Sequence, residues 1–353
     1  MTFLITGASG FIGRHLSAYL TARGHRVLAL MRQPDTLPAL QRTVSALGGQ
    51  GDRLHAVAGD LDQPGLGVGE PLPSLDAIIH LGARFAWGLE RDSARRTNTA
   101  GSLAVAELAR QQGCRLVFIS GFMLENHAHL ARLGIDEKQP ARTDWNQVYR
   151  RAGGYEASKL EAALQVREQA ARDGIDLVEV QPATVAGHSI SGVLDPAQPL
   201  HTLIHNLAGG RLAMVPGSPA HWLPLVAVDT LAALIGEAAL ADTAPPRLLA
   251  LDPATPNLQG MLALIADELG RRAPRHHLPL GILAALLKLP GLPALMQTAP
   301  EALHFIQPTR FDSSVTEAFM TARGLTQAPI EQAIRASARH YRHHQAQPGA
   351  QPA

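Results

Sequence analysis

The sequence predicts an α/β protein, a doubly wound parallel (Rossmann) sheet with a smaller, mainly helical C-terminal substrate lobe. Three observations carry this expectation. Short β-rich runs alternate with longer helical patterns through the first half, the first run ends in a glycine-rich turn at the mouth of a helix, and the alternation lapses after residue 182.

In chain order, strands are expected at "TFLIT" (2–6), "RVLALM" (26–31), "LHAVA" (54–58), "DAIIHL" (76–81), "RLVFIS" (115–120) and "DLVEVQ" (176–181). Helical periodicity fills the gaps, most clearly in "IGRHLSAYLTAR", "TNTAGSLAVAELARQQ" and "YEASKLEAALQVREQAARDG", the first and third closed by Gly24 and Gly174. A strand-helix unit, "PLVAVDTLAALIGEAAL" (224–240), returns to sheet-like sequence, while 187–220 and 252–342 are mostly helix and loop. The expected organisation is therefore a dinucleotide-binding domain over 1–186 and 221–251, a substrate-binding lobe over 187–220 and 252–342, and a flexible tail over 343–353.

Composition narrows the function classes. At 353 residues the chain can bury a substantial core, and a net charge of +1 with 17% charged residues lacks the basic excess that nucleic-acid phosphates require. The single cysteine, Cys114, excludes an intrachain disulfide framework and reads as a small hydrophobe at the start of a strand, in keeping with a reducing cytoplasm. "MTFLITGASG" has no basic n-region or cleavage signature, so a cytoplasmic rather than exported protein is expected. The most apolar later stretch, 278–296, is broken by Lys288, Pro290 and Pro293 and does not suit a membrane span. His201 and His205 in "HTLIH", and the pair His276/His277, lack a third ligand or catalytic Glu in an HExxH-like arrangement, so no metal is expected.

Chemistry enters with "FLITGASGFIGRHL". Gly7, Gly10 and Gly13 follow a strand and open a helix, where glycines permit a tight turn and let backbone N–H groups, with those of Ser9, Phe11 and Ile12, approach a pyrophosphate. At the end of the second strand an NAD-preferring site usually presents an acid to the ribose 2′-hydroxyl. Here "LALMRQ" supplies Arg32, whose planar fork suits a 2′-phosphate; NADP(H) is preferred, with NAD(H) possible because Asp35 lies close by and Arg32 could simply be solvated. Tyr155 and Lys159 in "GGYEASKLEAAL" are spaced to share one helix face. Tyr149 is a rival phenol, but the residue four positions on is Gly153.

The G-x-x-G-x-x-G spacing resembles the short-chain dehydrogenase/reductase superfamily, and "TGASGFIG" resembles its extended branch, which includes the NAD-dependent epimerases and dehydratases and the hydroxysteroid-dehydrogenase-like reductases. The resemblance covers most of the chain and takes in "AGDL", "HLGA", "NTAGS", the Tyr155/Lys159 pair, "QPATVAG" and "VAVDTLA" around Asp229, in the expected order. It implies that Asp60 and Leu61 contact adenine, that Leu81, Gly82 and Ala83 line the cofactor cleft, and that Asn98, Pro182 and Thr184 belong to the cofactor site. It also implies that Tyr155 is the general acid or base, with its phenol lowered towards neutrality by the Lys159 ammonium and the oxidised nicotinamide, and that Lys159 holds the ribose hydroxyls. The family's orienting hydroxyl after the fifth strand aligns with Gly121, so Ser120 is expected to take the role as a catalytic residue, the alternatives being another group or none. Relatives commonly dimerise through the helices corresponding to 92–112 and 155–173, which implies a homodimer.

Gly121, Phe122 and Met123 stand where the family's dehydratases carry an Asp-Glu pair, and Leu223 stands where sugar-nucleotide enzymes often carry a diphosphate-gripping arginine. The segment 278–306, rich in Leu, Pro, Ala and Met, suits either an apolar ligand or ordinary helix packing. The leading expectation is an NADP(H)-dependent oxidoreductase that moves hydride between nicotinamide and a carbonyl/alcohol pair on a largely apolar small molecule. Its alternatives are a nucleotide-sugar epimerase with retained NAD and, from another class, a catalytically impaired dinucleotide-sensing binding protein, motivated by Gly121.

Overall fold

Seven strands run parallel in one sheet: β1 (Thr2–Thr6), β2 (Arg26–Met31), β3 (Leu54–Ala58), β4 (Ala77–His80), β5 (Arg115–Ile119), β6 (Leu177–Pro182) and β10 (Arg247–Ala250), in the order β10-β6-β5-β4-β1-β2-β3. The computed structural model describes residues 1–69, 71–86, 88–298 and 300–345. β1 lies between β2 and β4, with Ile5 in register with both Ala29 and Ile79. Strand order reverses there, so the connections leaving the C-terminal ends of β1 and β4 diverge and open the crevice where doubly wound sheets bind ligands. The six expected strands are present within a residue at each end. The seventh was missed: "RLLA" follows Pro245 and Pro246 and is only four residues long, too short for a period to show, and it forms as an edge on β6.

The sheet belongs to one of two compact units, comprising Met1–Pro182, Leu231–Ala250 and Ser314–Leu325. Its helices are α1 (Phe11–Ala22), α2 (Leu37–Ala46), α3 (Arg91–Ala94), α4 (Gly101–Gln112), α5 (His127–Leu133), α6 (Trp145–Ala152), α7 (Gly154–Asp173), most of α9 (Val228–Leu240), and α13 (Ser314–Ala322). α3 runs into α4 through a π-helical turn, Arg95–Ala100, which interrupts the regular helix expected over 97–112. α7 ends at Gly174, left-handed with φ 69° as its C-cap role requires. Cys114 sits immediately before β5, partly buried, with its thiol pushed up to about 11 by that burial.

The second unit comprises Ala183–Thr230, Leu251–Ser313 and the residues from Thr326 on. It holds two small parallel sheets, β7 (Thr184–Ala186) with β9 (Leu225–Ala227) and β8 (Val215–Pro216) with β11 (His277–Leu278), and helices α8 (Pro199–Ala208), α10 (Leu258–Leu269), α11 (Leu280–Leu286), α12 (Leu292–Met296) and α14 (Ile330–Gln345). Residues 183–186 and 221–230 therefore leave the expected dinucleotide-binding domain, because β7 pairs with β9 rather than extending the large sheet. α13 conversely joins the first unit, against β10. Where a tail is expected from 343, α14 continues to Gln345, and 346–353 lie outside the described residues. Within this unit His205 Nδ1 meets the Tyr341 hydroxyl at 2.7 Å, and Arg211 donates to His205 Nε2 at 3.0 Å, so both nitrogens of that histidine are engaged. Trp222, fully buried, donates to the Thr309 carbonyl at 3.0 Å.

A directed chain of hydrogen bonds ties β1 to β4. Gly82 N–H donates to Thr6 Oγ1 at 3.0 Å, and Thr6 Oγ1 lies 2.6 Å from His80 Nδ1. His80 Nε2 lies 2.8 Å from Ser102 Oγ, whose own proton goes to the Asn98 carbonyl at 2.5 Å. Ser102 can therefore only accept from Nε2, which leaves Nδ1 to accept from Thr6: the imidazole is neutral and protonated on Nε2. Burial first, and the Lys159 charge second, push its pKa down to about 3. Because the unfolded imidazole binds protons at the ordinary 6.5, this chain contributes stability in full above pH 6.5 and loses it progressively towards about pH 3. In chemical denaturation, the stability difference between wild type and His80→Gln should grow as pH rises from about 3 to 6.5; a difference independent of pH would refute the neutral assignment.

Candidate active site and dinucleotide cleft

The glycine turn is built for backbone contact. Gly7 adopts φ +74°, and a Cβ there would fall 2.9 Å from the Gly82 nitrogen; a Cβ on Gly13 would fall 2.1 Å from the Gly7 carbonyl oxygen. The turn, the first turn of α1 and the loop after β4 thus close on one another at distances no side chain permits. Gly10, the N-cap of α1, is extended and offers no side-chain cap, and the first turn contains no acid. The positive end of a 12-residue helix therefore presents the Phe11, Ile12 and Gly13 amides without a competing side-chain acceptor, beside exposed Ser9. This cradle fits the pyrophosphate of a dinucleotide.

Several of the flanking residues follow the C-terminal ends of strands. Arg32 is exposed directly after β2, and Asp35 is exposed in the turn that follows. Asp60, after β3, accepts the Asp62 amide at 3.0 Å, and a Cβ on Gly82 would lie 2.8 Å from Leu61 Cδ1, so Leu61 packs close to the "HLGA" loop of Leu81, Gly82 and Ala83. Asn98 is 1% exposed and its amide is occupied: Oδ1 accepts the Arg84 N–H at 2.7 Å, and Nδ2 donates to the Arg84 carbonyl at 3.2 Å and to Ser158 Oγ at 2.9 Å. It acts here as a brace between the loop after β4 and α7. Pro182 ends β6. Thr184 opens β7 in the second unit, with its buried Oγ1 lacking a hydrogen-bond partner among the described residues.

α7 begins where two glycines allow it. Gly153 adopts φ +81°, and a Cβ on Gly154 would fall 2.0 Å from the Leu89 carbonyl oxygen. One residue on, Tyr155 is half-buried with its ring edge-on to Phe85, centroids 4.6 Å apart. Lys159 donates to the Ile119 carbonyl at the end of β5, 2.5 Å away, and its ammonium lies 5.4 Å from the centre of the Phe118 ring. Ser120 donates its hydroxyl proton to Glu179 of β6, whose other oxygen accepts from Arg167 Nε at 2.6 Å. Tyr149 is occupied elsewhere, donating to Glu161 at 2.8 Å, and Glu161 also takes Arg95 at 2.7 Å.

The electrostatics depart from expectation at the phenol. Tyr155 is pushed up to about 12, by burial first and the neighbouring Glu156 charge second, rather than lowered by Lys159. Lys159 is itself pulled down to about 8 by burial, with Glu179 opposing that fall. Burial of the phenol outweighs the pull of an ammonium that is itself costly to charge. Phe85, Glu179 and Arg167 were not singled out from sequence. Glu179 left one signal, a lone acid inside the apolar run "LVEVQ", which a strand covered on both faces accepts only with a partner.

Residues 5–235, nearly two thirds of the chain, match the NAD-binding family described as "Male sterility protein". The chain belongs to this family. This NAD-binding family is of the extended short-chain dehydrogenase/reductase type. The PKS-NRPS hybrid synthetase cheA of Chaetomium globosum is 28% identical over 250 residues, 66% of this chain but 5% of that protein. The nonribosomal peptide synthetase-like enzyme fsqF of Aspergillus fumigatus is 27% identical over 75% of this chain and 19% of its own length, so the chain spans only a small part of these relatives. Dihydroflavonol 4-reductase of Hordeum vulgare is 25% identical over 62% of this chain and 60% of its own. Among solved structures, the terminal R domain from the myxalamid PKS-NRPS pathway superposes with a TM-score of 0.76 at 21% identity, covering 99% of this chain and 92% of that one, which shows the shared fold.

Gly121 is extended, with φ −176°, and a Cβ there would meet nothing within 4 Å. Gly121→Ser should therefore fold with an unfolding free energy within about 0.5 kcal/mol of wild type. A loss well beyond that in denaturant titration would show that the position cannot carry the hydroxyl for steric reasons.

Proposed function

We propose that the chain is an NADP(H)-dependent reductase that transfers hydride between nicotinamide and a carbonyl/alcohol pair on a largely apolar small molecule. The observation that carries this reading is the half-buried Tyr155 phenol, held protonated on the same face of α7 as Lys159, in the unit that holds the glycine cradle. When bound, the nicotinamide supplies the hydride. The residues of the chain supply the rest. In reduction the carbonyl carbon gains hydride as the C=O π bond breaks, and the oxygen takes the Tyr155 proton, leaving a phenolate stabilised by the Lys159 cation. Lys159 commits one N–H to the Ile119 carbonyl, which leaves two donors for ribose hydroxyls.

Ser120 has a single proton and gives it to Glu179, so towards a ligand it offers lone pairs only. Tyr155 is then the hydroxyl that donates to a substrate oxygen, and Ser120 is suited to accept from an alcohol or from the phenol. The apolar substrate is supported by the second unit, where Ile282, Leu286, Leu289 and Leu295 stand exposed on or beside α11 and α12. Leu223, in the place of a diphosphate-gripping arginine, is 2% exposed, which argues against a sugar nucleotide. The relatives named reductases support the direction. Cytoplasmic location and a homodimer through α4 and α7 belong to the same reading.

Tyr155→Phe should lower turnover of ketones or secondary alcohols, followed by nicotinamide absorbance, by about 10²- to 10⁴-fold while leaving cofactor affinity intact. Unchanged turnover would remove the phenol from the mechanism and favour a sensor. Arg32→Ser should weaken NADP(H) by about 10- to 100-fold, the worth of a charge-assisted hydrogen bond, with little change for NAD(H). Equal losses for both dinucleotides, measured by fluorescence titration, would show that Arg32 does not read the 2′-phosphate.

A further inference from the structure

Behind the candidate site, β6 carries an acid among apolar neighbours. Glu179 is 1% exposed, stands in register with Phe118 of β5, and divides its carboxylate between Ser120 and Arg167. Lys159 lies over that same Phe118 and bonds to the carbonyl of the next residue, Ile119. α7 thus brings two cations, Lys159 and Arg167, to the strand pair that holds the single acid.

A merely structural ion pair would be expected to use the bidentate fork of the guanidinium. Arg167 instead reaches Glu179 through Nε, and its buried Nη2 has no hydrogen-bond partner among the described residues. The other carboxylate oxygen is given to Ser120. A carboxylate this deep is costly to desolvate, and its partners are arranged to point it at Ser120 rather than to satisfy Arg167.

We propose that Glu179 is a positioning residue: its carboxylate turns the Ser120 hydroxyl inward as a donor and holds Lys159 cationic. Its catalytic consequence rests on the oxidoreductase reading above, since an amine that lost its charge would neither stabilise a phenolate nor keep all its donors. Among the described residues, the titratable groups that bear on Lys159 include His80 of β4, which is neutral, Tyr155, Glu156 and Arg167 on its own helix, with Glu156 engaged by His129 at 2.6 Å, and Glu179 of β6, which opposes the effect of burial on the amine.

The chain has three lysines, Lys138, Lys159 and Lys288, and the other two are exposed. Trace acetylation of the full chain across pH, read by peptide mass spectrometry, therefore titrates Lys159 against two internal controls, without cofactor or substrate. Glu179→Gln should move the pH of half-maximal Lys159 reactivity down by about one pH unit, and Arg167→Met, which strips the carboxylate of its neutralising partner, should move it up. Ser120→Ala should leave it in place. If either charge variant fails to fold, as circular dichroism would show, the paired substitution Glu179→Leu with Arg167→Met removes both buried charges together and should also move it down. A Lys159 midpoint unmoved in the folded charge variants overturns the proposal. Absence of any NADP(H)-dependent turnover would overturn the oxidoreductase reading and leave this titration standing.

Discussion

The structure depends on a backbone approach that only glycine allows. At the reversal of strand order, the turn after β1 passes so close to the loop after β4 that a methyl group on Gly7 would overlap the Gly82 backbone, and one on Gly13 would overlap the turn itself. That approach brings the amino end of α1 level with the C-terminal edge of the sheet, where its amides and partial positive charge meet an anion. The hydrogen-bond chain from Gly82 through Thr6, His80 and Ser102 to Asn98 fixes the same two strands from beneath. Asn98 then extends the constraint to Ser158, so the cradle and the helix bearing Tyr155 and Lys159 share one rigid framework.

Buried charge in this framework is economical. His80 is kept neutral, Tyr155 protonated, and three of the buried acids, Glu156, Glu161 and Glu179, each face a basic group: His129, Arg95 and Arg167. Glu179 differs from the other two in what it reaches. Glu161 takes Tyr149 away from the site, whereas Glu179 takes the proton of Ser120, the residue adjoining Gly121. The glycine at position 121 and the committed proton at Ser120 are therefore two aspects of one departure.

The sheet and the cradle were legible in the sequence because both are written locally: apolar strand runs of five or six residues, and glycines at fixed offsets after the first of them. The strand Arg247–Ala250 was not, since four residues behind a Pro-Pro carry no period, and its pairing with β6 is decided by tertiary contact alone. The placement of Tyr155 and Lys159 one turn apart on α7 was legible by helical spacing. Phe85 and the Ser120–Glu179–Arg167 chain were not, because their partners are distant in sequence or on another element, and only the oddity of an acid in "LVEVQ" hinted at them.

The direction of the phenol's pKa follows from the same separation of local and non-local causes. Helical spacing places an ammonium near a phenol and so argues for a lowered value, but spacing carries no information about how much water either group retains. Burial raises the phenol and lowers the amine together, and the carboxylates that adjust each come from different elements: Glu156 acts on Tyr155 from α7, Glu179 on Lys159 from β6. Under the reductase reading proposed above, a phenol held protonated and an amine held charged are the states from which reduction would begin. Under that reading, the second positive charge that would favour a phenolate would come from an oxidised nicotinamide, in the direction that needs a base.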